Sequence, residues 1–244
     1  MKAVILAAGY ATRLYPLTLD RPKALLSVGG RPMVEHLLDR LEEVGTLDEI
    51  YLVTNSKFAG AFRDWAAERG GGVQIVDDGT SDDDSRLGAI GDLDLTIREG
   101  RIDEDLLVLA GDNLFSESLA GFAEFGRTRG APALGVYDVG DLEAIRRYNA
   151  IELDSDDRVT FFEEKPERPR STLTGIALYF YPRASLGVVR KYLEEGNDPD
   201  QPGRLIEWLY PRTPVYGWRV PGQWYDVGSK ETLAEADSAF SSPA

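Results

Sequence analysis

The chain has 244 residues, of which 43% are hydrophobic and 28% are charged, a usage typical of soluble globular proteins and unlike that of disordered chains. Its formal net charge of -15 argues against a nucleic-acid-binding protein, which usually carries a basic patch. No cysteine is present, which excludes disulfides, thiolate nucleophiles and cysteine metal sites.

A chain of this length can bury one sizeable core, so we expect a single domain over residues 1–244. The first eight residues are typical of a strand and lack the cleavage region of a signal peptide. No apolar run reaches the roughly eighteen residues that a membrane span needs. We therefore expect a cytoplasmic protein with no membrane contact and no nucleic-acid partner.

Apolar, β-branched runs bounded by turn residues predict strands in the first half of the chain, at residues 2–8, 49–55, 73–77 and 105–111. Helical spacing separates several of these runs and is clearest over residues 32–44. The single histidine, His36, lies in that stretch and is interpreted as an ordinary helix residue. The alternation predicts βαβ units and a largely parallel sheet with helices on both faces.

The spacing changes in the second half, where four strand-like runs follow one another closely, at residues 133–139, 150–154, 159–165 and 174–181. Such spacing predicts antiparallel or mixed strands that are added to the parallel sheet. A last helix is predicted over residues 230–240. The acid-rich segment 77–84 predicts a solvated loop, because adjacent carboxylates repel one another and prefer water.

The first strand leads into the segment LAAGYATRLYPLTLDRPKALL, residues 6–26. Small residues and a glycine at a strand end let the backbone approach a ligand, and its N–H groups can bind phosphate oxygens. Arg13 and Lys23 add a planar fork of donors and a compact charge, both of which a triphosphate can use. Neither G-x-x-x-x-G-K-[ST] nor G-x-G-x-x-G occurs, which argues against a P-loop NTPase and a standard dinucleotide-binding protein.

This segment strongly resembles the signature of the sugar-1-phosphate nucleotidyltransferases, especially the short glucose-1-phosphate thymidylyl- and uridylyltransferases: L-A-x-G-x-G-T-R-L-x-P-L-T, then P-K-x-L-L. Further pieces follow in the family's order, namely LAGDNLF (109–115), FEEKP (162–166), LTGIALYFY (173–181) and WYDVGS (224–229). The resemblance spans most of the chain. It implies an α/β, Rossmann-like nucleotidyltransferase fold with a mixed, mostly parallel central sheet. It also implies a nucleotide-binding half at about 1–115 and a sugar-phosphate-binding half at about 116–244.

The resemblance implies that a sugar 1-phosphate attacks the α-phosphorus of an NTP, giving an NDP-sugar and pyrophosphate without a protein nucleophile. It implies catalytic roles for Arg13, Lys23 and Asp112, and a Mg²⁺ cofactor held by Asp112 and Asp226, since hard oxygen ligands suit a hard cation. The implied nucleotide-binding residues are Leu6, Ala7, Ala8, Gly9, Thr12, Arg13, Lys23, Gly88 and Asp112. The implied sugar-phosphate-binding residues are Asn149, Glu164, Lys165, Thr174 and Gly175.

Three positions depart from the family's pattern. Ala11 stands where the family usually has glycine. Because a methyl group is tolerated at a negative φ, we expect a slightly altered loop that still binds. The glutamine that commonly reads the base has no clear counterpart, although Asp83 falls near its place, and Asn149 replaces a frequent glycine near the sugar. We expect dTTP or UTP with glucose 1-phosphate as favoured substrates, while CTP and another sugar stay open.

The sequence leaves other functions open. A cytidylyltransferase would use another phosphate acceptor, such as inositol or choline phosphate. A glycosyltransferase would be expected to keep a D-x-D motif after a strand, whereas LAGDNLF offers one aspartate. A non-catalytic module that binds nucleotide sugars could lose charged residues, yet Arg13, Lys23, Asp112, Lys165 and Asp226 are all present. The sequence also leaves open whether the protein forms a homo-oligomer. The extensions of longer family members are not matched here, so the oligomer contacts made by those extensions cannot be carried over.

Overall fold

A seven-stranded sheet lies at the centre of the protein, for which a computed structural model describes residues 1–241. The strands are β1 (Lys2–Leu6), β2 (Ser27–Val28), β3 (Arg31–Pro32), β4 (Glu49–Thr54), β5 (Val73–Asp77), β6 (Leu106–Ala110), β7 (Asn113–Phe115), β8 (Ala133–Asp138), β9 (Asn149–Leu153), β10 (Val159–Glu164), β11 (Leu173–Tyr181), β12 (Tyr216–Arg219) and β13 (Trp224–Asp226). The helices are α1 (Met33–Glu42), α2 (Ser56–Glu68), α3 (Ala89–Glu99), α4 (Ala120–Arg129), α5 (Leu142–Ile145), α6 (Gly187–Glu194), α7 (Pro202–Leu209) and α8 (Lys230–Ser241). Short 3-10 helices lie at Thr12–Leu14, Lys23–Leu25 and Arg183–Ser185.

The strand order of the central sheet is β12-β8-β11-β6-β1-β4-β5. Strands β6, β1, β4 and β5 run parallel to their neighbours, which confirms the parallel sheet predicted from the first half of the sequence. Strand β11 runs antiparallel to both β6 and β8, and β12 is parallel to β8. The sheet is therefore mixed and mostly parallel, as the family resemblance implied.

Two of the four strands predicted after residue 133 do not join the central sheet. Strands β9 and β10 pair with each other, antiparallel, as a separate two-stranded sheet. The N–H of Asp154 donates to the carbonyl oxygen of Arg158 across the turn between them, at 2.9 Å. Ile151 and Phe162 are buried in one apolar cluster with Leu205 of α7. The prediction was wrong for this pair, because a tight turn and the contact with α7 satisfy both strands locally.

Alternation along the strands builds an apolar core on each face of the sheet. On β1, Ala3 and Ile5 belong to the cluster that α1, α2 and α4 cover. The residue between them, Val4, belongs to the cluster on the opposite face, which includes residues of α3, α6 and α7. All three side chains are fully buried. A central strand that is apolar on both faces is what a doubly covered sheet requires.

The carboxyl ends of β1 and β6 meet at one edge of the sheet. The N–H of Gly111 donates to the carbonyl oxygen of Leu6 at 2.8 Å, and a Cβ on Gly111 would lie 3.2 Å from that oxygen. Strand β7 then pairs antiparallel with β13, which places Asp226 opposite Asn113. Two segments far apart in sequence are thereby joined at the edge where open α/β sheets bind their ligands.

Two further sequence predictions, those for the last helix and for His36, are confirmed. The predicted last helix is α8, and His36 lies in α1, where its Nε2 is 2.8 Å from the Val28 carbonyl oxygen. The acid-rich segment 77–84 is a solvated loop only in part, because residues 81–84 are exposed, whereas Asp77 ends β5 and Thr80 is buried. No helix within residues 1–241 is long and apolar enough to cross a membrane.

Candidate active site

A cavity of about 440 Å³ opens at the carboxyl edge of the sheet, within the size range of small-molecule sites. Eleven of the residues named from the sequence line it: Leu6, Ala8, Gly9, Arg13, Gly88, Asp112, Asn149, Glu164, Lys165, Gly175 and Asp226. They come from both halves of the chain. The fold therefore brings the residues assigned to nucleotide and to sugar phosphate into one space.

The side chain of Asn55 fixes the loop that follows β1. This fully buried side chain caps α2 by accepting from the Phe58 N–H at 3.2 Å, and its Nδ2 donates to the Ala8 carbonyl oxygen at 2.7 Å. Farther along the loop, Ala11 has a φ of 48°, in the left-handed region. The negative φ on which the sequence expectation rested is therefore wrong. The loop keeps a glycine-like backbone at Ala11 and carries the strain of a methyl group there.

Two cations are held on short 3-10 helices beside this loop. Lys23 follows Pro22, and its Nζ donates to the Asp112 Oδ2 at 2.7 Å. Arg13 is exposed and lines the cavity, and within residues 1–241 its side chain has no ion pair or hydrogen bond. Lys23 is therefore already paired with a carboxylate, whereas the Arg13 guanidinium is available to bind an anion.

Asp112 is oriented by a chain of hydrogen bonds. The Trp224 Nε1–H donates to Asn113 Oδ1 at 2.6 Å, and the Asn113 Nδ2 donates to Asp112 Oδ1 at 2.8 Å. Burial alone would raise the pKa of Asp112, but the charge of Lys23 and these hydrogen bonds hold it below its usual value. The side chain is therefore ionised near neutral pH with both oxygens positioned.

Asp226 lies beside Asp112, because the Val227 N–H donates to the Asp112 carbonyl oxygen at 3.0 Å. Burial, followed by repulsion from Asp112, raises the pKa of Asp226, while Lys23 and Arg13 act in the opposite direction. Within residues 1–241 no cluster of three or more potential metal-ligating side chains occurs. Two adjacent carboxylates nevertheless fit Mg²⁺, which commonly takes one or two carboxylates and completes its shell with water and substrate phosphates.

The sugar-phosphate side of the cavity is built by the end of β10 and the start of α7. Lys165 is exposed, has a φ of 49°, and its N–H donates to the Tyr148 carbonyl oxygen at 2.8 Å. Burial, with a further contribution from Glu207, raises the pKa of Glu164 to about 7. The Glu164 Oε2 is buried without a hydrogen-bond partner among the described residues and lies against Gly203. An unpaired buried oxygen of this kind is suited to a ligand hydroxyl.

The Asn149 side chain is bound to the backbone of β11. Its Oδ1 accepts from the Gly175 N–H at 2.6 Å, and its Nδ2 donates to the Gly175 carbonyl oxygen at 2.8 Å. Thr174 is fully buried and donates to the Asn149 Oδ1 at 3.2 Å. Asn149 and Thr174 thus fix the backbone at Gly175, where the pairing of β11 with β8 is irregular.

Gly88 begins α3 at the cavity wall, with a φ of 79° and a ψ of 157°, a conformation confined almost entirely to glycine. A Cβ there would lie 2.6 Å from the Pro199 carbonyl oxygen. The position therefore requires glycine for two independent reasons, its backbone angles and the closeness of Pro199.

Gly88→Ala is expected to lower the free energy of unfolding by at least about 2 kcal/mol. Gly79→Ala serves as the control, since Gly79 has a similar φ of 80° but open space around it, and is expected to cost about 1 kcal/mol. Urea unfolding followed by circular dichroism measures both. Equal losses would show that the contact with Pro199 contributes nothing.

Four of the residues named from the sequence are not on the cavity wall, which does not include Ala7, Thr12, Lys23 or Thr174. Lys23 still reaches the site through Asp112. Asp83 lies on the exposed loop, where it pairs with Arg86 at 2.8 Å, and is also absent from the wall.

Sequence reasoning missed several residues that do line the cavity, among them Asp92, Tyr148 and Trp224. The segment WYDVGS contains Trp224 and could have indicated it. Asp92 had a weaker signal, as an acid among the apolar residues of a helix.

A family model for nucleotidyl transferases matches residues 2–242. The chain is 32% identical over 239 residues to the UTP–glucose-1-phosphate uridylyltransferase AglF of Haloferax volcanii, covering 97% of this chain and 95% of that protein. It is 26% identical to the bifunctional protein GlmU of Methanocaldococcus jannaschii, but spans only 53% of that relative's length.

A solved structure described as a glucose-1-phosphate thymidylyltransferase from Bacillus anthracis superposes with a TM-score of 0.85 at 23% identity, over 100% of this chain and 96% of that one. At this identity the likeness supports the fold alone. The match of the family model and the 32% identity lead to one conclusion, that this chain belongs to the nucleotidyl transferase family.

Proposed function

We propose that this chain transfers a nucleotidyl group from an NTP to a sugar 1-phosphate and releases pyrophosphate. The observation that carries the proposal is the juxtaposition of Asp112 and Asp226 in one cavity, with Lys23 hydrogen-bonded to Asp112 at 2.7 Å. Two carboxylates and two basic side chains, Lys23 and Arg13, are what a reaction between two phosphate esters needs. Its barrier is lowered by positioning and by neutralising charge.

The residues divide the work of the reaction. Arg13 contacts the α-phosphate and stabilises the charge that develops as the bond to pyrophosphate breaks. Lys23 neutralises the triphosphate and the leaving pyrophosphate. Lys165 binds the phosphate of the sugar, and Glu164 accepts hydrogen bonds from sugar hydroxyls, so that the sugar phosphate oxygen faces the α-phosphorus in line.

Asp112 and Asp226 would hold Mg²⁺. A bound Mg²⁺ would supply charge neutralisation at the phosphates undergoing transfer. The chain's own contribution is to keep both carboxylates oriented, Asp112 through Asn113 and Lys23, and Asp226 through the pairing of β13 with β7. We expect the protein to act in the cytoplasm as a single domain, on NTP and sugar 1-phosphate substrates, with neither a membrane nor a nucleic acid as partner.

We favour UTP or dTTP as nucleotide and glucose 1-phosphate as sugar. The relative from Haloferax volcanii, which is named for UTP and glucose 1-phosphate, supports this choice. A pyrophosphate-release screen should cross UTP, dTTP, CTP, GTP and ATP with a panel of sugar and polyol phosphates. We expect turnover with UTP or dTTP and glucose 1-phosphate. Absence of pyrophosphate with every pair would refute the proposed reaction, and turnover with CTP and a polyol phosphate would replace the proposed substrates.

Lys165→Ala is expected to raise the KM for the sugar phosphate about tenfold or more, because a charge-assisted hydrogen bond to phosphate is lost. The KM for the NTP should change much less. Arg168→Ala, an exposed position on the same loop that does not line the cavity, is the matched control. Steady-state kinetics with each substrate varied in turn checks the result. Equal increases in both KM values would contradict the division of the cavity between the two substrates.

A further inference from the structure

Arg147 lines the cavity but has no role in the mechanism above. It lies between α5 and β9 and is exposed, and within residues 1–241 its side chain has no ion pair or hydrogen bond. The neighbouring Arg146, by contrast, pairs with Glu143 at 3.2 Å and does not line the cavity. An arginine on a cavity wall whose five N–H donors are unpaired is available to an anionic ligand.

The backbone holds Arg147 in a short turn. The N–H of Arg147 donates to the Ala144 carbonyl oxygen at 3.1 Å, and the N–H of Tyr148 donates to the Ile145 carbonyl oxygen at 2.9 Å. Ile145 is fully buried and anchors the turn in the interior of the protein. The position of Arg147 on the wall is therefore fixed by the turn, while its guanidinium keeps its donors for a ligand.

Tyr148 relates Arg147 to residues that already have a role. The Tyr148 carbonyl oxygen accepts from the N–H of Lys165 at 2.8 Å, so the backbone beside Arg147 is bonded to that of Lys165. Burial raises the pKa of the Tyr148 hydroxyl, with Asp226 acting in the same direction and Arg147 in the opposite direction. Arg147 therefore lies on the part of the cavity wall that connects Lys165 with Asp226.

The charges on this part of the wall match a phosphate monoester. Lys165 is exposed and lines the cavity, and among the described residues its side chain, like that of Arg147, has no ion pair or hydrogen bond. A phosphate monoester carries a charge of about -1.5 to -2 at neutral pH, which two cations neutralise. A guanidinium can donate to two of its oxygens at once and an ammonium to a third. The pair therefore fits this ligand in both charge and donors.

We propose that Arg147 is a substrate-binding residue that holds the phosphate of the sugar 1-phosphate together with Lys165 and orients it for the reaction. A lysine is a point charge, which attracts the phosphate but does not fix its rotation, whereas a bidentate arginine does. Orientation favours the step in which the phosphate oxygen bonds to the α-phosphorus as the bond to pyrophosphate breaks. The same contact holds the sugar-bearing phosphate of the NDP-sugar after transfer. The inference rests on the proposed function, since it concerns the same acceptor.

The test compares Arg147→Ala with Arg147→Lys, and with Arg146→Ala as the matched control. Steady-state kinetics with the best substrate pair of the screen gives kcat and both KM values, and isothermal titration gives the Kd of the NDP-sugar. We expect Arg147→Ala to raise the KM for the sugar 1-phosphate about 10- to 100-fold and the Kd of the NDP-sugar about tenfold. Its kcat should fall about tenfold, while the KM for the NTP changes less than about twofold.

Arg147→Lys keeps the charge and loses the planar fork, so it should restore the KM for the sugar 1-phosphate more than kcat. Arg146→Ala should match wild type in every value. An unchanged KM for the sugar 1-phosphate in Arg147→Ala would overturn the inference. So would an equal rise in the KM for the NTP, because a general electrostatic effect also weakens the more highly charged triphosphate. Full recovery of kcat in Arg147→Lys would contradict the orienting role.

These outcomes are separate from the fate of the proposed function. Wild-type protein that forms an NDP-sugar with normal kinetics in Arg147→Ala would refute the role of Arg147 and leave nucleotidyl transfer intact. Wild-type protein that forms no NDP-sugar would refute the proposed function itself. Thermal melts check folding, and because the Arg147 side chain has no partner within residues 1–241, we expect the Tm of both Arg147 variants to equal that of wild type.

Discussion

Asp112→Asn is expected to lower kcat at least about 100-fold with the fold retained. Asparagine keeps the shape of the side chain, and its amide oxygen can still accept the hydrogen bond from Asn113, which now spans 2.8 Å to Asp112. The negative charge that Lys23 contacts, and that would hold Mg²⁺ with Asp226, is lost. The chemical step therefore loses charge neutralisation, whereas the core around β6 and β7 is untouched.

Asp103→Asn is the control for this substitution. Asp103 precedes β6 at the end opposite Asp112 and pairs with Arg183 on the surface, at 2.6 Å. An exposed pair of this kind contributes at most about 1 kcal/mol to stability, so the Asp103→Asn variant should stay folded. Because Asp103 lies away from the cavity, the kcat of this variant should match that of wild type. Steady-state kinetics at saturating NTP and MgCl₂, together with thermal melts, distinguish a catalytic loss from unfolding. Near-wild-type kcat in Asp112→Asn would remove Asp112 from the metal site.

Arg13→Ala is expected to lower kcat roughly 100-fold, as removal of one donor to developing charge does in other enzymes. The Arg13 guanidinium lines the cavity and acts electrostatically on Asp226, which places it near the two carboxylates that would hold Mg²⁺ beside the reacting phosphates. Since the side chain has no ion pair within residues 1–241, its loss should leave the free energy of unfolding nearly unchanged.

Arg21→Ala is the matched control, because Arg21 is an exposed arginine on the same segment that does not line the cavity. Its kcat should equal that of wild type. Single-turnover measurements at saturating NTP separate the chemical step from binding. A change in the KM for the NTP with unaltered kcat in Arg13→Ala would assign Arg13 to ground-state binding instead of catalysis.

The local pattern of apolar and polar residues was sufficient to predict most of the strands and helices of this fold. The apolar, β-branched runs in the first half of the chain predicted β1, β4, β5 and β6, because such runs between turn residues are typical of strands. The same reasoning was wrong about where β9 and β10 pair. Strand periodicity identifies a strand but does not select its partner, and here a five-residue connection made the neighbouring strand the nearest one.

The contacts within the candidate active site could not be predicted from local sequence pattern. The juxtaposition of Asp112 and Asp226 depends on the pairing of β7 with β13, which lie more than a hundred residues apart, and only the family resemblance suggested it. Asn149 could be named from the sequence, but not the fact that its amide is bound to Gly175.

The most direct test of the account is ³¹P NMR of the protein with MgCl₂, the best NTP of the screen and its sugar 1-phosphate. The account predicts that an NDP-sugar and pyrophosphate form in equal amounts, that neither forms when the sugar phosphate is omitted, and that Asp226→Asn abolishes both signals. Release of inorganic phosphate from the NTP, or of pyrophosphate without a sugar phosphate, would contradict the claim that Asp112, Asp226, Lys23 and Arg13 surround the phosphates of two reacting substrates.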